Sequence, residues 1–273
     1  MSLVPAFIRD ALAQRAVTPV RLPGSRDLVS IPYRAFLATS KSELKAAFQL
    51  RFRVFNLELN EGLDQAYKTG EDNDEFDRFC DHILVTDDRT GQVVGTYRLQ
   101  TGNSAGRHIG YYSEREFDFS PYRILRDELV ELGRACIHPE HRKYEVLMLL
   151  WKAIAHYAQD KHARYLIGCS SLTSQDTLQG SAVYARLKPM LAPEAMRTVP
   201  APAYAFNLEE TSASAMDARP PKLLRTYLAL GAHICGPPAF DRDFKTIDFL
   251  TLMDLHNLAP AIRARLLENQ SAV

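Results

Sequence analysis

The chain has 273 residues, 46% apolar and 24% charged, the make-up of a water-soluble globular protein long enough to bury a core without staples. Lys plus Arg equals Asp plus Glu at 33 each, so the strong basic excess of a general nucleic-acid binder is absent and no nucleic-acid partner is expected. Four scattered cysteines without a C-x-x-C pair (Cys80, Cys136, Cys169, Cys235) exclude a disulfide framework, and no run reaches the ~18 apolar residues of a membrane span.

Along the chain, Leu3, Phe7, Ile8 and Leu12 fall at helical spacing and predict a short amphipathic helix over 3–15. Arg9, Asp10 and Arg15 interrupt it where a signal peptide would be apolar, so a cytoplasmic protein is expected. Pro5, Pro19, Pro23 and Pro32 punctuate an irregular arm, residues 1–33. YRAFLATS reads as a strand, and Ser40 or Ser42 as the cap of a helix over 42–59 with Leu44, Phe48, Phe52 and Phe55 on one stripe. Residues 61–80 lack periodicity and read as loop. HILVTDD and VVGTYRLQ around RTGQ form a hairpin. Residues 103–127 read as loop with a short helix near Ser120–Leu125. ELVELGRACI then reads as a buried strand, 142–160 as a strongly periodic helix and ARYLIGCSSL as a further strand. A helix over 175–189, an Ala/Pro/Ser-rich loop over 192–220, a helix at LLRTYLALGA, a last strand at FKTIDFLTLMDL and a closing helix over 258–268 complete the chain. This order excludes a helix bundle or a β-sandwich. It predicts an α/β (α+β) fold: a mixed, mostly antiparallel central sheet flanked by helices, with one parallel strand–helix–strand unit over 129–170. Residues 34–273 are expected to form one domain that includes a C-terminal extension from about 215 to 273.

Familiar nucleotide and metal signals are missing. There is no G-x-G-x-x-G after a strand and no G-x-x-x-x-G-K-[ST]. His138 and His141 are separated by Pro139, which breaks helical geometry, so no metal is expected. Gly168-Cys169-Ser170-Ser171 is not a nucleophile elbow, and Cys169 is expected to be a buried strand residue.

The zero net charge hides a segregation. Residues 1–53 carry nine Lys and Arg against three acids, a balance of +6, whereas 54–90 carry three against eleven, a balance of −8. Either both are solvated faces, or a basic surface for an anionic partner lies beside an acidic pocket for a cation. Charges also sit in apolar segments: Arg51 and Arg53 around Phe52, Arg98 in VVGTYRL, and Glu131 and Arg134 in ELVELGRACI. Each costs several kcal/mol, roughly, unless paired. In a regular strand Glu131 and Gly133 share a face and Arg134 takes the opposite one, so Glu131 and Arg134 do not pair, and Arg51 or Arg98 is the candidate to face Glu131. A buried ion network and an active site both account for such charges.

LRFRVF, EDNDEFD, TYRL and ELGRACIHPEHR stand in the order and spacing of acyl-homoserine-lactone synthases, enzymes of the GNAT acyltransferase fold. FDRFCDHILV, GYYSEREFDF, LLWKAI and LRTYLALGAHICGPPAFDRDFKTIDFL bring the chain closer to another branch, which it resembles over about residues 34–257. These are the L-ornithine N-alpha-acyltransferases, which draw 3-hydroxyacyl chains from acyl carrier protein to make lyso-ornithine lipid. One departure from CoA-using GNAT enzymes is informative. Their R-x-x-G-x-G/A loop cradles a pyrophosphate, but Arg142–Leu147 keeps the Arg and lacks both glycines, so the backbone approaches a pyrophosphate less closely. That favours a carrier-protein donor, with no cofactor resident on the enzyme.

The resemblance implies transfer of an acyl group from the phosphopantetheine thioester of acyl carrier protein to the α-amine of L-ornithine or another small amine. It sets the thioester between ELGRACI and YLIGCSS, with Ala135, Ile137 and Ser170 along the pantetheine and a backbone N–H near Ala135–Ile137 as oxyanion donor. Glu131 is the candidate base and Arg134 the residue that orients the reacting loop. Asp72, Asp74 and Asp77 would hold the side-chain ammonium, and Arg51 or Arg98 the carboxylate. Arg142 and Lys143 would meet the acidic carrier, helped by Arg21, Arg26 or Arg34, and the N-terminal helix could rest on the inner face of the membrane. The alternatives are an acyl-homoserine-lactone synthase or another long-chain N-acyl amino acid synthase, and, outside catalysis, a carrier-binding module with a degenerate site.

Overall fold

Ser40 has extended backbone; its hydroxyl accepts the N–H of Glu43, whose carboxylate accepts the N–H of Ser40 in return at 2.9 Å. This reciprocal cap starts helix α1, Lys41–Arg51. The expected continuation to residue 59 is present, but as a π-helix over Phe52–Glu58, the wider turn that tends to occur at functional sites. The computed structural model describes residues 28–30, 32–209 and 219–267. The predicted helix over 3–15, Arg21 and Arg26 lie outside the described residues.

Nine strands form one sheet: β1 (Leu28–Ser30), β2 (Tyr33–Leu37), β3 (Asp81–Asp87), β4 (Gln92–Thr101), β5 (Leu129–Ile137), β6 (Tyr165–Leu172), β7 (His233–Ile234), β8 (Ala239–Asp241) and β9 (Thr246–Asp254). Their spatial order is β1-β2-β3-β4-β5-β6-β9-β7, with β8 also on β9. Every pairing is antiparallel except β5 with β6. The predicted hairpin is β3–β4, and the predicted parallel unit is β5, helix α3 (Tyr144–Asp160) and β6, with a short helix α2 (Gly102–Arg107) earlier in the chain. The sheet begins earlier than the sequence suggested, since Leu28–Ser30 pairs with Tyr33–Ala35 inside the stretch read as arm. The C-terminal segment completes the sheet, because β9 lies along the whole of β6. β7 and β8, two and three residues long, are too short for a periodic signal.

Helices cover both faces. α3 sets Val146, Leu149, Leu150, Trp151 and Ile154 against Ile83, Val85 and Tyr97, and full burial of each large apolar side chain contributes roughly 1.5–3 kcal/mol. α1 covers the other face, where Leu50 and Val54 meet Cys136. Three further helices follow: α4 (Thr177–Leu187), α5 (Lys222–Ala229) and α6 (Pro260–Leu267).

Two irregularities in β5 shape everything that follows. β5 and β6 pair only at Leu129–Tyr165, Val130–Leu166 and Glu131–Ile167, then part. β5 stays paired with β4 and β6 with β9, so the gap opens inside the sheet. Gly168 lies just past the last pair; a Cβ there would sit 2.2 Å from the Leu132 carbonyl oxygen, so only glycine permits this approach. Further along, Tyr97 of β4 opposes both Arg134 and Ala135 of β5, a bulge in which Arg134 takes φ +49°.

Candidate active site

The gap between β5 and β6 opens into a cavity of about 700 Å³ lined from both faces of the sheet. On the α3 side its wall is apolar, with Leu147, Met148, Trp151, Leu166, Leu230 and Ile262. Four cations border the same cavity: Arg142, Lys143, Lys222 and Arg265. On the opposite face the lining becomes polar, with Glu61, Arg98, Tyr112, Glu131, Arg134 and Asp248.

The arginines and aspartates singled out by sequence come together as a buried network. Arg51, fully buried, donates from Nε to Asp72 at 2.8 Å and through Nη1 and Nη2 to both oxygens of Asp77 at 2.8 and 3.1 Å. Arg98 Nη1 donates to Asp74 at 2.6 Å and Asp77 at 3.2 Å, and Arg134 Nη2 donates to the other oxygen of Asp74 at 3.0 Å. Three cations thus balance three carboxylates. Burial pushes Asp77 and Asp74 up, but the adjacent guanidinium groups more than offset it, and both lie below the usual carboxylate range. Burial likewise holds His82, beside Asp77, down at about 4.

This geometry corrects three sequence expectations. Asp72, Asp74 and Asp77 are neutralised by arginine and do not line the cavity. Arg51 is consumed by the network and meets neither Glu131 nor the cavity. Arg134 does not take the opposite face, because the bulge returns it to the side of Arg98, where both hold Asp74. Arg98 and Arg134 do line the cavity, and Arg134 stacks 3.8 Å from the centre of the Phe244 ring.

Glu131 is the last residue of β5 paired with β6, so it stands where the strands part. Its carboxylate accepts the backbone N–H groups of Tyr112 (2.9 Å) and Ser113 (2.8 Å) and the Ser113 hydroxyl. It makes no hydrogen bond to Arg134, although the bulge sets the two on the same side of the sheet and not on opposite faces; Arg134 is bonded to Asp74 instead. Burial raises its pKa, a shift that the Ser113 and Tyr112 bonds partly offset.

Ala135, Ile137 and Ser170 line the cavity, and the β6-facing edge of β5 has no strand partner beyond Glu131. Ser170 Oγ lies 3.3 Å from the Thr251 hydroxyl. Lys143 caps the start of α3 without a side-chain bond, whereas Arg142 is clamped by both oxygens of Glu58 at 2.6 and 2.7 Å. Arg34, the third basic helper, lies on β2 beside Asp88. His138, Glu140 and His141 do converge despite Pro139, but His138 Nε2 lies 2.7 Å from Arg53 Nη1 and His141 Nδ1 lies 3.1 Å from the Tyr33 hydroxyl. His138 Nδ1 also accepts the backbone N–H of Glu140 at 3.3 Å, so both ring nitrogens of His138 have partners.

Sequence reasoning missed Tyr112, Ser113, Glu116, Asp241, Phe244 and Asp248. Tyr112 links the two ends of the polar wall: its N–H reaches Glu131 and its hydroxyl donates to Asp241 at 3.0 Å. Asp248 sits in the apolar run TIDFLTLMD, the same signal that marked Glu131, and Cys169 turns out to line the cavity rather than only fill a core.

Comparisons with known proteins give a concordant picture. Residues 50–152 match the Acetyltransferase (GNAT) domain. The chain is similar to the L-ornithine N(alpha)-acyltransferase of Rhodobacter capsulatus, 32% identical over 82% of this chain and 90% of that protein. It is similar also to that of Agrobacterium fabrum, 31% identical over 82% and 81%. Among solved structures, FeeM, an N-acyl amino acid synthase from uncultured soil microbes, shares the fold with a TM-score of 0.52 at 12% identity, covering 87% of this chain and 96% of that one. The AHL synthase LasI does so with a TM-score of 0.50 at 13% identity, covering 86% and 94%.

Proposed function

The chain belongs to the L-ornithine N(alpha)-acyltransferase family and is an acyltransferase of the GNAT fold. From that premise we propose that it moves a 3-hydroxy fatty acyl group from acyl carrier protein to the α-amine of L-ornithine, giving lyso-ornithine lipid. The observation that carries this reading is the cavity in the β5–β6 gap: apolar toward α3, cationic at Lys143 and Lys222, and lined on the other face by Arg98, Arg134 and Glu131. An acyl chain fits the apolar side, an anionic phosphopantetheine the cationic border, and an amino acid the polar face.

The thioester lies in the gap, its carbonyl oxygen toward the unpaired edge of β5 near Ala135–Ile137, where a backbone N–H stabilises the developing oxyanion. Arg98 and Arg134 meet the amino-acid carboxylate; their guanidinium groups are held in place by Asp74 and retain N–H donors beyond those bonds. Glu131 takes a proton from the α-ammonium, a role suited to a carboxylate whose pKa burial has raised. The freed amine attacks the carbonyl, the C–N bond forms, the C–S bond breaks, and the pantetheine sulfur leaves and is protonated to the thiol. Because the cations bordering the cavity include no glycine-rich phosphate loop, the reading favours a carrier-protein donor over CoA.

An acceptor panel with a 3-hydroxyacyl carrier protein tests the reading. Turnover of ornithine well above that of S-adenosylmethionine, tyrosine or glycine is the expected result. Lactone formation from S-adenosylmethionine would replace it with the signal-synthase reading. Carrier binding without turnover of any amine would leave only the binding module.

A further inference from the structure

Three acids near the cavity have no cation among the described residues. Asp248 is 3% exposed and Glu116 1%, and Asp241 is buried beside them. Among the described residues no lysine or arginine forms an ion pair with any of the three. The acidic loop, by contrast, meets an arginine for each aspartate. The oxygens of Glu116 and Asp248 and the sulfur of Cys169 lie within 4.8 Å of one another. Asp248 Oδ2 takes the Thr246 hydroxyl at 3.3 Å and Glu116 Oε2 the Cys169 thiol at 3.5 Å; Asp248 Oδ1 and Glu116 Oε1 are buried and meet no well-formed donor, with the Ser171 hydroxyl and the opposite carboxyl group as their polar neighbours. Asp248 faces the cavity directly, and the Glu116 carboxylate stands behind it.

Buried carboxylate oxygens without donors are costly, and a like-charged neighbour increases the cost. A ligand that brings a positive charge and several N–H donors removes both penalties. Tyr112 sets the distance. Its N–H is bonded to Glu131 at 2.9 Å and its hydroxyl to Asp241 at 3.0 Å, so the proposed base and the acidic cluster lie one hydrogen bond beyond either end of a tyrosine, as two carboxylates would lie beyond the two nitrogens of a bound diamino acid. The two nitrogens of an extended ornithine are about 6 Å apart, taking bond lengths of about 1.5 Å, a comparable span.

Resting on the reading above that ornithine is the acceptor, we infer that Asp248 and Glu116, with Asp241 behind Tyr112, form the subsite that takes the side-chain ammonium of the acceptor. This subsite replaces Asp72, Asp74 and Asp77 in that role and makes Asp248 the residue that selects a diamino acid over a neutral one. Burial and the mutual repulsion of the carboxylates raise the pKa of Glu116 well above the usual range, a strain that an ammonium bound between them relieves.

The test compares L-ornithine with L-norvaline, which has the same carbon chain without the terminal amine, in the wild type and in Asp248→Asn. The wild type is expected to favour ornithine in kcat/KM by about a hundredfold, and Asp248→Asn to bring that ratio close to one. Glu116→Gln should lower it by about tenfold. An unfolding scan of the wild type provides a readout independent of the variants: saturating ornithine should raise Tm, and norvaline should not. No discrimination by the wild type, or full discrimination retained by Asp248→Asn, would overturn the inference. So would stoichiometric zinc or manganese retained by the wild type and lost in Asp248→Asn, which would make the cluster a metal site. If neither acceptor turns over, the functional reading fails, and the Tm comparison alone decides the subsite.

Discussion

The backbone N–H of Tyr112 donates to Glu131 at 2.9 Å, and this bond ties the polar wall of the cavity to the point where two strands part. The same residue reaches Asp241 with its hydroxyl, and its ring lies beneath Arg98 and Arg134, 5.6 and 5.4 Å from their guanidinium carbons. The proposed base, the proposed carboxylate clamp and the acidic cluster therefore share one aromatic spacer.

Glu131→Gln is expected to lower kcat by roughly 10²–10⁴-fold with a much smaller change in ornithine affinity. Ser113→Ala removes one bond to the carboxylate and leaves the carboxylate in place, so kcat should fall by less than about tenfold. Equal losses in the two variants would reduce Glu131 to a holder of the Tyr112–Ser113 loop. Steady-state kinetics with saturating acyl donor gives the comparison.

Asp77→Asn is expected to act on stability rather than on substrate recognition. It leaves Arg51 with a single carboxylate partner in a fully buried site, at a cost of about 3–5 kcal/mol. Urea unfolding should show a lower midpoint, and the folded fraction should keep an ornithine KM within about threefold of wild type. A specific rise in KM at unchanged stability would return Asp77 to the substrate pocket.

The pH dependence of stability isolates Asp248. The titratable groups facing it are Glu116, Asp241, Cys169 and Tyr112, with the hydroxyls of Ser171 and Thr246 beside them. Burial and the neighbouring Asp241 push Asp248 up to about 6, above its unfolded value. A raised carboxylate contributes stability while protonated and loses it as pH rises through the folded pKa, here by on the order of 3 kcal/mol. Asp248→Asn should therefore be more stable than wild type near pH 8 and equal to it near pH 4. Saturating ornithine should close the gap at the higher pH. Thermal unfolding across that range measures both.

The cationic border gives a donor-side prediction. Lys143→Glu combined with Lys222→Glu should weaken binding of acyl carrier protein by about tenfold or more and flatten its dependence on salt. Arg142 is the weaker choice, because Glu58 already neutralises it. Titration at low and high salt reads the effect; unchanged affinity at low salt would move the docking surface elsewhere.

Much of the fold was legible because its elements are long and periodic. α3 carries an apolar stripe over seventeen residues, and the β3–β4 hairpin sets two β-rich runs around a glycine turn. The arginine network was legible in part, since charges in apolar segments must find partners, and Arg51, Arg98 and Arg134 found them in one acidic loop. Their side of the sheet was not. Arg134 changes face only because two residues of β5 oppose Tyr97, and no local pattern announces a bulge at a non-glycine residue with φ +49°. The acidic cluster was hidden for a different reason. Glu116, Asp241 and Asp248 come from three separate segments: strand pairing places Ser171 opposite Asp248 and Ala239 against it on the other side, and Glu116 arrives from the turn after Tyr112–Arg115. The −8 stretch drew attention to carboxylates already paired with arginine, whereas Glu116 and Asp241 sit among other charges in the sequence and only Asp248 lies singly in an apolar run.

The most direct measurement is the product of a reconstituted reaction containing the protein, a 3-hydroxyacyl carrier protein and L-ornithine, read by tandem mass spectrometry. One new amide carrying the 3-hydroxyacyl chain on the α-nitrogen is expected, with free carrier thiol formed in equal amount. Acylation of the side-chain nitrogen, or no acyl-ornithine while another amine is turned over, would contradict the proposed transfer.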